Sequence, residues 1–339
     1  MKRKMELKLE NPPVKTYHHL AFPFSVLDQN SDIWLYSNFI QLKCENNIPA
    51  EDDMYFDFLK SNFFNDLECP FLELVSIHRS YVEINYNNIH DFFEFYIQEG
   101  YYIYLFLNVF YLPNVNDYQK SLGSHDILIF GFDKGERQYN LSGYAKNHLF
   151  SQWKVSYSHI EDAFLNMNAL DIPVEQYKII LFRKKFPSVY AFNYPQLASN
   201  LEDYLNSSTR EDLPPYKNQN HLIFGLETYD ILLAYIELLA NKKIKFDIRP
   251  FCLLEEHKSL MTKRVKFLFE LCYLKKNFEK WSNLIRYNSL IMRNLMLKYS
   301  ITRNIAILKE VRSILIEMKK DDQNLITNIL FELYNYPGG

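Results

Sequence analysis

Residues 101–112, YYIYLFLNVFYL, and residues 125–142, HDILIFGFDKGERQYNLS, are the two runs on which the fold class turns. The first is an unbroken series of aromatic and aliphatic residues, the composition of a central strand. In the second, 126–132 and 136–142 flank Asp133-Lys-Gly135, a turn signal between extended runs and so a hairpin. Helical patterns lie on both sides. Residues 88–99 have helical spacing and stop at Gly100, while Ser158-His-Ile-Glu161 reads as a capping box that opens a helix through about Met167. Residues 177–183, YKIILFR, form another strand, and helix resumes from Pro195. Upstream, Ser31 or Asp32 caps a helix to about Cys44, with Ile33, Tyr36, Phe39 and Ile40 facing a core. Antiparallel strands mixed with helices make the fold class α+β.

A composition shift near Leu213-Pro-Pro-Tyr216 ends this pattern. Beyond it, 228–241, 253–275, 278–299 and 302–319 all read as helices, a C-terminal helical half. The sequence therefore divides into domains at 1–215 and 216–339, with no internal repeat.

The composition removes several function classes. Only 8 glycines are present among 339 residues, and no GxGxxG or GxxxxGK[ST] run exists, so dinucleotide and P-loop readings lose their support. The net charge of -3 speaks against a nucleic-acid binder. Cys44, Cys69, Cys252 and Cys272 lie far apart, and the histidines show no metal-ligand spacing, so no metal is assigned. The N-terminus lacks the apolar run of a signal peptide, and runs such as 101–112 are too short to span a bilayer. The expectation is a cytoplasmic chain without membrane or nucleic-acid partners.

Charge is unevenly spread. Residues 241–320 hold 19 Lys/Arg against 7 Asp/Glu, a net of +12 that leaves -15 for the rest. Lys258, Lys263, Arg264, Lys266, Lys275 and Lys276 are the densest group, either solvated helix faces or a landing surface for an acidic partner or a phosphate-bearing ligand.

Candidate chemistry centres on Ala21-Phe-Pro-Phe-Ser25, His125 at the head of the hairpin, and Asn140 on its second strand. In papain-like enzymes a cysteine at the start of a buried helix, a histidine and an asparagine follow one another in that chain order. The residues after the papain-like cysteine resemble Phe22, Pro23, Phe24 and Ser25, which puts Ala21 at the nucleophile position. The strand at 101–112, the His125-to-Asp133 hairpin, Trp34-Leu-Tyr-Ser-Asn-Phe-Ile-Gln41 and Ile160-Glu-Asp-Ala-Phe164 together resemble the papain-like acyltransferases of the butirosin-biosynthesis N-terminal domain family. The similarity covers roughly residues 15 to 185.

That resemblance implies a papain-like fold and transfer of an acyl group from the thioester of an acyl or peptidyl carrier protein, through an enzyme cysteine, to an amine or diamine, as in amide synthetases of the closthioamide type. No cofactor is implied beyond the phosphopantetheine arm of the carrier, and a thioester donor needs no ATP. Residue 21 would be the nucleophile, His125 the base and acid, and Asn140 the orienting group, with Ser142 or Gly143 as alternatives for the last. The backbone N–H of residue 21 would serve an oxyanion. Ala21 carries no nucleophile, so it is either a replaced cysteine or the native residue of a catalytically inactive binding protein. Lys15 stands where papain-like peptidases carry a glutamine, which argues against an ordinary cysteine peptidase. His18 and His19 are adjacent candidates for lining the cleft.

Overall fold

The computed structural model describes residues 2–48, 54–59, 69–146, 149–186, 190–210 and 221–336. In chain order the elements are β1 (Lys4–Glu6), α1 (His18–Val26), α2 (Asp32–Asn38), β2 (Leu42–Glu45), β3 (Phe56–Phe58), β4 (Leu72–His78), α3 (Arg79–Asn85) and α4 (Ile89–Gln98). There follow β5 (Tyr102–Asn108), β6 (Ser124–Asp133), β7 (Gln138–Tyr144), β8 (Phe150–Ser156), α5 (Tyr157–Leu165), β9 (Lys178–Lys184) and α6 (Tyr194–Leu205). The chain ends with β10 (Leu222–Phe224), α7 (Thr228–Ala240), α8 (Arg249–Glu270), α9 (Glu279–Thr302) and α10 (Ile305–Tyr334). The class is α+β, as the two opening runs predict.

The chain forms two compact units, one of residues 1–29 with 62–189 and the other of 30–61 with 190–339. The composition shift expected to mark a boundary, at 213–216, lies outside the described residues.

In the first unit an antiparallel sheet runs β4-β9-β5-β6-β7-β8, with β1 added to the far end of β6. Alternation along β5 and β6 divides the faces. Ile103, Leu105, Leu107, Ile127, Ile129 and Leu141 face one core, which Phe92, Phe93 and Ile97 of α4 and Ile160 and Phe164 of α5 complete. Tyr104, Asp126, Leu128 and Ser142 have the opposite parity and lie on the side of Phe22 in α1. Gly131 has no room for a side chain: a Cβ there would sit 2.8 Å from the Met5 carbonyl, so glycine lets β1 pair closely with β6.

Side-chain caps open five of the ten described α-helices. Asn88 accepts the His90 N–H at the start of α4, and Gly100 closes that helix at φ +84, the left-handed position that favours glycine. For α5 the cap is Ser156, which accepts the His159 N–H, so the helix opens before the expected Ser158. The α2 helix stops at Asn38, short of Cys44, because residues 42–45 pair with β3 and β10 in a second small sheet.

In the second unit α6–α10 pack as helices, as their sequence periodicity predicts. Two members of the expected basic surface are inside it. Lys258 is 1% exposed and donates to Tyr204 Oη at 2.8 Å and to the Asp322 carboxylate. Arg264, also 1% exposed, donates to the Tyr36 and Phe39 carbonyls at the end of α2, satisfying acceptors that a finished helix leaves open. Lys263, Lys266, Lys275 and Lys276 are exposed. No helix among the described residues is long and apolar enough to cross a membrane.

Candidate functional site

The α1 helix begins at His18, and β6 begins beside it with His125 and Asp126. Asp126 is the hub. Its Oδ1 accepts from His18 Nδ1 at 2.5 Å and from His125 Nδ1 at 2.9 Å, and its Oδ2 accepts from Tyr104 Oη at 3.1 Å. The aspartate carries the same parity as buried Leu128 and Phe130, so the sheet turns a carboxylate into a buried aromatic layer where it needs partners.

The two histidines differ in environment. His18 has a side chain 4% exposed, stacked between Phe22 at 4.6 Å and Tyr144 at 4.5 Å. Its Nε2 accepts the backbone N–H of Tyr144 at 3.1 Å. A backbone amide can only donate, so Nε2 carries the lone pair and Nδ1 the proton given to Asp126. Burial lowers the His18 pKa, outweighing the pull of Asp126, and the ring stays neutral. The His125 side chain is 50% exposed, with its ring centroid 4.8 Å from that of His18. Burial opposes its charged form, yet the hydrogen bond and charge of Asp126 prevail and raise its pKa. With Nδ1 turned to the Asp126 carboxylate and carbonyl, Nε2 is the nitrogen left to take a proton.

The same forces act on the acidic groups. Burial would raise the Asp126 pKa, but the two imidazoles hold it well below the usual carboxylate range. Burial and Asp126 push the Tyr104 phenol far above its ordinary value, so it remains an O–H donor.

The expected triad is only partly assembled. His125 is in the site. Ala21 is fully buried one turn into α1, and its N–H donates to the Tyr17 carbonyl at 2.8 Å, so that amide is already engaged. Three positions earlier, His18 occupies the helix start that faces His125. Asn140 pairs with Gly131, six residues along β6 from His125, a separation of about 20 Å at strand rise. Asn140 therefore does not orient the imidazole, and Asp126 takes that place. Ser142 lies opposite Leu128, and Gly143 comes nearer, the position of a Cβ there being 3.8 Å from His18 Nε2. Of the four thiols, Cys44, Cys69 and Cys252 are pushed up to about 12 by burial, and Cys272 is exposed after α8.

His18, His125 and Asp126 also bring three ligand atoms within 4.8 Å of one another. A metal at His18 Nδ1 requires the proton on Nε2, where the Tyr144 N–H already points. Nδ1 and Oδ1 at 2.5 Å are spaced as a hydrogen-bonded pair, with no gap for an ion between them. The arrangement suits proton binding better than coordination.

No protein-family model matches the chain, and no curated protein matches it.

Asp126 and Tyr104 are not among the residues that the sequence motifs single out. A signal for the first exists: an aspartate on the inward parity of DILIFGF is a charge that the strand buries. Nothing local marks Tyr104 among the aromatic residues of β5.

Proposed function

We propose that the chain transfers an acyl group from a carrier-protein thioester to an amine by general-base catalysis at His125, without an acyl-enzyme. The observation that carries this reading is the Asp126–His125 pair, which fixes Nδ1–H and leaves Nε2 on the half-exposed side with a raised pKa. The resemblance to papain-like acyltransferases supplies the substrate class. The absence of a cysteine from the start of α1 supplies the departure from them.

In this scheme the neutral amine nitrogen attacks the thioester carbonyl while His125 Nε2 takes its proton. The C–S bond then breaks, and the imidazolium returns the proton to the departing pantetheine thiolate. Asp126 is a positioning residue that stabilises the imidazolium, and His18 positions Asp126. The exposed Lys263, Lys266, Lys275 and Lys276 suit an acidic carrier protein.

A second reading is favoured by His18, whose two nitrogens are both engaged where a nucleophile would stand. It makes the chain a binding protein on a papain-like framework that has lost its chemistry. An acyl-carrier thioester, an amine and the purified chain distinguish the readings. The expected result is amide product that falls at least tenfold in His125→Ala, with no acyl adduct in the intact-protein mass. Amide formation unaffected by His125→Ala, or no amide at all, overturns general-base catalysis. An acyl adduct on a cysteine restores the covalent route.

A further inference from the structure

Beside α1 the first unit has a cavity of about 370 Å³, at the small end of the range for ligand sites. Its walls come from the extended segment after β1 (Glu10, Lys15), from α1 (Ser25), and from β7 and β8 (Ser142, Phe150, Ser151). Phe150 also belongs to the aromatic layer of the histidine site, with its ring 6.4 Å from His18 and 5.8 Å from Tyr144.

Ser142 lines this cavity, is 0% exposed, and its Oγ has no hydrogen-bond partner among the described residues. A buried hydroxyl left unpaired is costly, so it points to a group that completes it. The other two serines narrow the chemistry of that group. Ser25 Oγ donates to the Phe22 carbonyl at 2.7 Å, and Ser151 Oγ donates to the Leu149 carbonyl at 3.2 Å. With their hydrogens committed, both oxygens keep acceptor capacity only, and Ser142 can also accept. Glu10 adds a carboxylate, held at 2.5 Å by the exposed Lys8 in a surface pair that a buried cation can replace. The exposed amides Asn11 and Gln152 stand at the mouth and can turn either way.

We infer that this cavity is a binding site for a primary aliphatic monoamine in its ammonium form. The three N–H donors of the ammonium are fewer than the four acceptors the wall offers, Ser25, Ser142, Ser151 and Glu10, so every donor can find a partner, and the alkyl chain lies against Phe150. Among the described residues Glu10 is the one carboxylate in the wall and offsets one positive charge, so a second ammonium on the same ligand has no acid to pair with. The inference rests on the amine-acceptor reading above for its role: the cavity holds the ammonium form one aromatic ring from the histidine cluster, and the amine gives one proton to solvent before its neutral nitrogen attacks. Its test uses no acyl donor and so stands apart from that reading.

Ligand-observed NMR titration of the full chain at about pH 7.5 with n-butylamine, n-butanol and butyrate tests the site. Saturable binding of butylamine is expected, at least about tenfold tighter than butanol, with butyrate weaker still, the order set by charge-assisted hydrogen bonds. Ser142→Ala should weaken butylamine about tenfold while leaving the melting temperature unchanged or higher, because it removes an unpaired hydroxyl. Glu10→Gln should weaken the amine selectively. Equal binding of butanol and butylamine, no saturable binding, or affinity unchanged in Ser142→Ala overturns the assignment. If the amine binds and no amide forms with an acyl donor, the cavity stands and the catalytic reading falls.

Discussion

Replacing Asp126 by asparagine keeps the shape of the hub and removes its charge. The oxygen of the new side-chain amide can still accept from His18 and His125, and Tyr104 can turn to accept from its NH2 group. What changes is the strength of the bond to the imidazolium form of His125. A hydrogen bond to a charged group contributes about 1.5–3 kcal/mol, against about 0.5–1.5 for a neutral pair. The difference, about 1 kcal/mol, is a little under one pKa unit, and exposure of the His125 side chain keeps it from being larger. The opposing effect of burial is then less well balanced, and the His125 midpoint falls. Because the folded pKa of His125 is raised, its contribution to stability is complete below pH 6.5 and disappears as pH rises through the folded midpoint. His18 works in the opposite sense: its folded pKa is lowered, so stability is lost as pH falls from 6.5 toward that lower value. The stability gap between the native chain and Asp126→Asn should therefore be larger at about pH 6 than at about pH 8.5. An NMR titration of the imidazole Cε1–H signals, assigned with His125→Gln, reads the midpoint directly. A His125 midpoint that does not fall in Asp126→Asn refutes the electrostatic account of the site.

Two further perturbations test the site and the helical unit. Ala21→Cys places a thiol at a fully buried position whose N–H is already engaged, so native protein should resist iodoacetamide and gain no acyl adduct. Rapid stoichiometric alkylation of that thiol counts against the placement of α1. Lys258→Met strands the Asp322 charge among Tyr204 and Tyr229 and should cost about 3–5 kcal/mol in urea denaturation at about pH 7, while adding Asp322→Asn recovers part of it. A loss of under about 1 kcal/mol in Lys258→Met means that the buried pair is not formed in solution.

The parts of the fold that depend on neighbours in sequence are legible there. The β6–β7 hairpin follows from Asp133-Lys-Gly135 between two extended runs, and α4 follows from Asn88, Gly100 and the spacing of Ile89, Phe92, Phe93 and Ile97. The parts that depend on distant partners are not. Residues 42–45 look like more helix until Phe56–Phe58 and Leu222–Phe224 pair with them. Lys258 and Arg264 look like surface charge until Asp322 and the end of α2 receive them. In the site, His125 stands out because a histidine at a strand head is conspicuous. The motif sets the nucleophile position at Ala21, three residues into the helix after His18, and chain order with a spacing of 15 residues from His125 selects Asn140. Register decides between Asn140 and Asp126, and register is set by pairing across the sheet, which spacing along the chain does not reveal.

One carboxylate serving two imidazoles makes those imidazoles unequal. Both His18 and His125 point Nδ1 at the same oxygen of Asp126, so the partner is common and the difference comes from what surrounds each ring. Around His18 there are aromatic rings and a backbone N–H that occupies its second nitrogen, and a proton there would cost both desolvation and the Tyr144 bond. Around His125 there is solvent on one side, so the proton that Asp126 attracts goes to the outer ring. The inner ring instead links Tyr144 on β7 to Asp126 on β6 through the first residue of α1, holding the carboxylate where the outer ring can use it. Loss of the inner ring should therefore disturb the orientation of His125 more than the total charge of the cluster, since a neutral residue is removed. That separation of roles, one histidine for position and one for the proton, follows from burial and from the Tyr144 N–H that occupies the inner ring, and needs no difference in the residues themselves.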